Sequence, residues 1–528
     1  MNDSNPLIDN LIFLLCGIDT SLMSIGMKNK KYSLLHEGGF SVDLLLPFEE
    51  ICINVRIVHK FIFKNISSEN SIKKIISNFL LEYKMRYLQK INKLRNTKDI
   101  ETLYVSIQED IEHFREFRNI IDTCRKNNDS EIFNNIKSIL DGPFYEKLKK
   151  ELEDQNDVEI INWIMRGETP SSFFIETRNY DPENLDEGYW KSKYNIKNKI
   201  SNNTGESKES YMPSEFSSKD HYNMTILKCG KLTSLLNELD INYESLINLE
   251  IIKTRGISGT LLYLNDLIYN LLSHNINYEL SILERFILMR DMSFFSDLFT
   301  DLYNDKSFDI IIYSKENKKF LRKINLFKKI DMINFKITDL DLNNTIYKII
   351  NKPLHMKNNQ SILEFLTIEF TPKILRFLLT KKQFLELDLI FRFLFAFSVI
   401  QFFLQKDLKF RFSRLMLCFI QNFKFSIFSN IDNIVFTNVD RLVDDLNSTI
   451  MHYISSLFLV SDDIYLILSE IIDLSFNFIG LDKKEECLNI EEFESKFYLI
   501  INRLYNKLRN GNYDWWFFNT LEALLIHK

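Results

Sequence analysis

SIKKIISNFLLEYKMRYLQKINKLR, residues 71–95, decides the fold class. Ile72, Ile75, Ile76, Phe79, Leu80 and Met85 recur at helical spacing, with Lys and Arg between them. An apolar stripe of that period buries one side of a helix and leaves charge on the other. No Gly or Pro interrupts it. The same pattern extends on both sides. NPLIDNLIFLLCGI opens with Asn5 and Pro6, a cap and a first-turn proline ahead of an apolar face. DIETLYVSIQEDIEHFREFRNIIDTCRK and DGPFYEKLKKELED, led by Asp141 near Pro143, continue downstream.

Composition agrees. The chain has 528 residues, enough for two or three compact units, with 45% hydrophobic and 26% charged residues. Only 13 Gly and 8 Pro are spread over this length, against 45 Phe. So few helix breakers among so many bulky apolar side chains predict an all-α fold. AT-rich coding accounts equally well for the abundance of Asn, Ile, Lys and Phe. A net charge of −6 gives no case for nucleic acid. Cysteines at 16, 52, 124, 229, 418 and 487 form no CxxC, and are expected to be buried thiols of a reducing compartment. The N-terminus has no basic region of a signal peptide. FLFAFSVIQFFL (393–404) falls short of the ~20 apolar residues of a membrane span, so a buried core helix is expected.

The apolar period lapses over 197–222, which predicts a long flexible loop, and again over the lysine-rich 304–360. A fresh helix start near Tyr278 places a division at about residue 275. No fixed-period repeat appears.

The motifs of chemistry are missing from this reading. The eight histidines form no i, i+4 pair and no HExxH, so no metal site is expected. RGISGT (255–260) and KCGKLTS (228–234) each lack part of a phosphate loop. Ser171 and Ser172 lack a G-x-S-x-G frame. Asp444 and Asp445 are adjacent, as on a solvated helix face. The basic run SKENKKFLRKINLFKK (314–329) is read as solvated surface. The expectation is a scaffold, with no enzymatic activity and no cofactor.

One set of motifs goes further. NWIMRGETPSSFFIETRNY (162–180) and GYWKSKYNI (188–196) carry Trp163, Ile164, Arg166 and Gly167, then Ser171, Phe173, Ile175 and Glu176, then Tyr189, Trp190, Tyr194 and Ile196. This W-I-x-R-G, S-x-F-x-I-E, Y-W-x-x-x-Y-x-I order resembles the signature of gamma-tubulin complex components, especially component 2. ILKCGKLTSLL is similar to the family's I-L-x-x-G-K through Ile226, Leu227, Gly230 and Lys231. ERFILMRDMSFFSDLFTDL resembles its F-L-M and F-F stretch, with Met292-Ser293 where the family has Gly-Asp. LLTKKQFLELDLIFRFLF and RFSRLMLCFIQNFKFSIF give the tightest likeness, through Phe391-Arg392, Arg414, Phe419, Gln421, Asn422 and Phe425. The family's Trp-Pro is absent around Lys373-Ile374.

The resemblance implies an elongated stack of helical bundles with two grip domains. Residues 1–275 would make lateral contacts with a second component, component 3, and contain the loop at about 197–220. Residues 276–528 would bind gamma-tubulin. It also implies a ring or helical assembly that templates microtubule nucleation at the spindle pole or another microtubule-organising centre, for instance for the mitotic spindle, without membrane insertion. Because tubulins are acidic, the two best-matching motifs point to Lys381, Lys382, Arg392, Arg411, Arg414 and Gln421 as the binding set. Trp163, Arg166, Gly167, Phe173, Trp190, Gly230 and Lys231 are expected to form a structural joint. Arg392 is also compatible with tying two helices together. Component 3 and a different helical scaffold, such as a tethering-complex subunit, remain the alternatives.

Overall fold

The computed structural model describes residues 6–28, 31–36, 42–68, 71–97, 99–126, 136, 139, 140, 142–169, 175–178, 188–196, 218–291, 293–304, 332–337, 366–406, 408–429, 431, 433–459, 461–483, 489–509 and 515–526. Its fold is all-α. Among the described residues, the strands make only three two-stranded antiparallel sheets. The chain divides into two compact units, the first comprising 1–177, 194–237 and 242–260, the second 178–193, 238–241 and 261–528.

The first unit opens with α1 (Pro6–Leu15), the proline standing at the first helical position, where its missing N–H costs nothing. A hairpin follows, β1 (Met23–Lys28) and β2 (Lys31–His36), in register from Met23↔His36 to Lys28↔Lys31. The sequence reading passed over this hairpin because the sequence between the two strands, Asn29-Lys30, is not one of the glycine-bearing pairs that announce such turns. Its edge amides are met by side chains: Met23 N–H donates to Thr20 Oγ1 (3.0 Å), Ile25 N–H to Asp19 Oδ1 (2.9 Å) and Leu34 N–H to Glu49 Oε1 (3.0 Å).

Four long helices complete the bundle: α2 (Val42–Asn65), α3 (Ser71–Lys93), α4 (Ile100–Lys126) and α5 (Glu146–Arg166). On α3 the inward face is Ile72, Ile76, Phe79, Leu80, Tyr83, Tyr87 and Ile91. The sequence expectation is corrected at Met85, which is 53% exposed; the four-residue steps from Phe79 run through Tyr83 and Tyr87 instead. Tyr83 meets Phe117 edge-on at 4.9 Å, and Tyr87 meets Phe114 at the same distance. Such pairs add about 0.5–1.5 kcal/mol each beyond area burial. The Tyr83 hydroxyl and the Lys90 ammonium both donate to the buried Asp110 (2.7 Å each), so that carboxylate is satisfied inside the core. Burial pushes the thiols of Cys52 and Cys229 up to about 12, which leaves them protonated and poor nucleophiles.

β3 (Ile175–Thr177) pairs with β4 (Tyr194–Ile196). The next helix, α7 (Ser218–Glu238), follows α6 (Tyr189–Ser192), a single turn. It takes in residues 218–222, which the sequence reading assigned to the loop; 197–217 lie outside the described residues. After it, α8 (Leu249–Ile282) breaks at Gly256, whose φ of 65° and ψ of 179° only glycine adopts easily. The contact division falls inside this helix, between Thr260 and Leu261, rather than at about 275. No helix starts at Tyr278, because Leu264, Ile268, Leu272, Ile276 and Leu280 keep one buried four-residue stripe through it.

In the second unit a single π-helical turn (Leu283–Ile287) leads to α9 (Ser293–Asn304), whose first turn is held by Asp291, the acceptor of Ser293 N–H at 3.0 Å. β5 (Ile333–Ile337) pairs with β6 (Leu366–Phe370), followed by the short α10 (Leu375–Leu378). The rest is α11 (Lys381–Lys406), α12 (Arg411–Phe428), α13 (Val439–Ser456), α14 (Asp462–Lys483), α15 (Ile490–Arg509) and α16 (Trp515–Ile526). The apolar run at 393–404 is the middle of α11, a helix long and apolar enough by composition to cross a membrane. That corrects the length expected from the run alone. Of its most apolar 18-residue window, 89% is buried against α9, α12, α13, α14 and β6, which accounts for its hydrophobicity from inside the unit.

Candidate partner-binding surface

Within the first unit, the motif residues of the joint converge. α5 ends at Gly167, which has φ 65° and caps the helix in the left-handed conformation, its N–H returning to the Trp163 carbonyl (2.9 Å). Trp163 is wholly buried and donates from Nε1 to the Ile226 carbonyl of α7 (2.9 Å). Its ring occupies the space a side chain at 230 would need: a Cβ on Gly230 would lie 1.9 Å from the indole Cε2. Thr233 donates to the Ile164 carbonyl (2.7 Å), Asn237 to that of Arg166 (2.7 Å), and Tyr194 meets Trp163 edge-on at 4.9 Å. This cluster welds α5, α7 and β4. Arg166 contributes its carbonyl there, and Lys231 is half-buried one position past the glycine. Phe173 lies outside the described residues. Trp190 belongs to the second unit, where it is buried and donates to Asp440 Oδ1 (3.2 Å).

The binding set named from the sequence separates into three environments. Arg392 is 2% exposed on α11 and donates to Asp388 one turn earlier, Nη2 to Oδ2 at 2.7 Å and Nε to the same oxygen at 2.9 Å. The other oxygen of Asp388 accepts the Ile368 N–H of β6 (2.9 Å). Burial pushes the Asp388 carboxyl above the usual carboxylate range, outweighing the guanidinium beside it. Arg392 is therefore a core residue and not part of a surface, and through Asp388 it links α11 to β6.

Lys381 and Lys382 are half-buried at the first turn of α11. Arg411, Arg414 and Gln421 are exposed on α12. The two sets lie at opposite ends of α11, because α12 starts just after that helix ends and turns back beside it, Lys424 reaching Ser398 Oγ (2.9 Å) and Gln401 Oε1 (3.1 Å). From Lys382 to Lys406 is roughly 36 Å at 1.5 Å per residue. No single contact of ordinary size centres on both.

What α12 does present is one continuous stripe. Arg411, Arg414, Cys418, Gln421 and Phe425 recur every three or four residues and all are exposed, Phe425 at 57%. The opposite face, Phe412, Met416, Phe419, Ile420, Phe423 and Ile427, is buried. The stripe is about 21 Å long, basic at its N-terminal end and apolar at the other. Phe425 and Cys418 were missed as surface residues from sequence. Stepping threes and fours from Arg411 finds both, but on a helix this rich in Phe it does not say which Phe faces out.

The described residues hold no group of His, Cys, Asp or Glu able to bind a metal ion. No protein-family model matches the chain, and no curated protein matches it.

Proposed function

We propose that this chain is a non-enzymatic scaffold subunit of the gamma-tubulin complex component type, nearest to component 2. It holds gamma-tubulin through its second unit, pairs with component 3 through its first, and joins a ring or helical assembly that templates microtubule nucleation at a spindle pole or microtubule-organising centre. The motif series in family order supports the family reading. The observation that carries the binding role is the α12 stripe, which sets two guanidiniums, an amide and an exposed Phe along one line. Arg and aromatic side chains are what protein interfaces enrich, and a basic stripe complements an acidic partner.

The mechanism is positional. Spontaneous nucleation is slow because each tubulin gives up translational and rotational freedom before lateral contacts repay it. A scaffold that holds several gamma-tubulins at lattice spacing raises their effective concentration and removes that barrier, with no bond made or broken.

The test is capture of purified gamma-tubulin by the immobilised full chain across a salt series. Retention that weakens with salt supports the reading; a chain that retains no gamma-tubulin at low salt overturns it.

A further inference from the structure

A cleft of about 470 Å³ lies in the second unit, with segment 433–437 on one side and the polar face of α13 on the other. Along the segment Ile434 and Phe436 are buried, while Val435 and Thr437 are exposed, the alternation of an extended strand. It is braced from behind. Ile434 N–H donates to Glu284 Oε1 (3.0 Å), Arg290 Nη1 bridges Glu284 (3.1 Å) and Asn433 Oδ1 (2.8 Å), and the Phe436 ring stacks on Tyr269 at 5.8 Å. Among the described residues, the main-chain N–H groups of Val435, Phe436 and Thr437 donate to no partner. The segment is thus an extended stretch held from one side, and the Val435 and Thr437 amides, pointing away from the side on which Glu284 takes the Ile434 N–H, leave the other edge open.

The facing wall is Arg441, Asp445, Ser448, Thr449 and His452, one face of α13 over about 16 Å, the length of about five extended residues. Arg441 and Asp445 pair with each other at 3.9 Å, so the wall carries both signs and no strong net charge. A phosphate or a uniformly acidic segment would meet Asp445 as readily as Arg441. Main-chain donors on one side and hydroxyls, imidazole and a balanced ion pair on the other suit a ligand with its own alternating donors and acceptors.

We propose that this cleft binds an extended polar peptide segment of a partner protein, which adds a strand to the 433–437 edge and lays its side chains against α13. The site is on different elements from the α12 stripe and does not depend on the gamma-tubulin reading.

The experiment pans the full chain against a randomised heptapeptide phage library and titrates synthetic copies of the enriched peptides. Binding should fall at least tenfold with Thr449→Trp, which fills the cleft, while the melting temperature stays unchanged. Two measurements use the wild-type chain and so survive a folding defect in that variant. Peptides N-methylated at alternate amides should bind at least tenfold more weakly, and hydrogen exchange at 435–437 should slow on binding. The proposal is overturned if no peptide is enriched over an unrelated protein, if N-methylation leaves binding intact, or if protection appears only elsewhere. Enrichment of solely acidic peptides would also overturn it, in favour of simple anion binding at Arg441.

Discussion

Trp163 and Gly230 occupy one another's space: the indole fills the position of the missing side chain, 1.9 Å from where a Cβ would stand. Neither residue explains itself alone. Glycine inside α7 is a poor helix former, and a tryptophan at the end of α5 needs both a cavity and an acceptor for its N–H.

Gly230→Ala therefore pits two effects against each other. Alanine favours the helix by about 1 kcal/mol, but the clash forces the indole or the α7 backbone to move, and overpacking of this kind costs about 1–3 kcal/mol or more. We expect net destabilisation by about 2 kcal/mol in urea unfolding followed at Trp fluorescence. Trp163→Leu in the same background should recover part of that loss, with clear non-additivity. Additive losses would mean the two residues do not share a space.

At Asp388 and Arg392 the prediction concerns charge. Arg392→Met leaves a buried carboxylate with only the Ile368 N–H as partner and should cost about 3–5 kcal/mol. Changing both, Asp388→Leu with Arg392→Met, should restore most of that stability. Gamma-tubulin capture by the folded double variant should equal that of the wild type, since both residues are buried. Lost capture with a wild-type melt would return Arg392 to the binding set.

On α12, the double charge reversal Arg411→Glu with Arg414→Glu should weaken gamma-tubulin capture and flatten its salt dependence. Exposed positions of this kind change stability by no more than ~0.5 kcal/mol, so the melting temperature should hold. Lys381→Glu with Lys382→Glu, at the far end of α11, tests whether the partner spans both places. The reading centred on α12 expects the smaller effect there. The opposite order of effects would move the site to the first turn of α11.

Lys424 supplies a pH prediction. Burial lowers its ammonium to about 8, from 10.5 when unfolded. Between those two values the unfolded chain holds more protons, so this residue's contribution to stability rises with pH from about 8 to 10.5. Below 8 it carries a constant penalty of roughly 3 kcal/mol. Lys424→Met should accordingly gain stability relative to wild type below pH 8, and the gain should shrink as pH rises toward 10. A difference that stayed flat over pH 7–10 in paired denaturant curves would show that Lys424 is not desolvated.

The all-α class was legible in the sequence because helix formation here is local. An apolar stripe such as that of Phe79 and Leu80, uninterrupted by Gly or Pro, permits one answer, and Pro6 marks a helix start without help from the rest of the chain. The hairpin at 23–36 was not legible, since its register rests on side chains outside it, Asp19, Thr20 and Glu49. Nor does the sequence show which polar residue of an apolar helix turns inward. Arg392 and Arg414 stand in equally suggestive motifs, yet Asp388 and the Ile368 amide hold the first inside, while α12 leaves the second in solvent. The continuity of α8 through Tyr278 likewise depends on a stripe that is buried only in the folded unit. Periodicity within a segment determines the elements; burial, charge pairing and the exposed α12 stripe are settled only where distant segments meet.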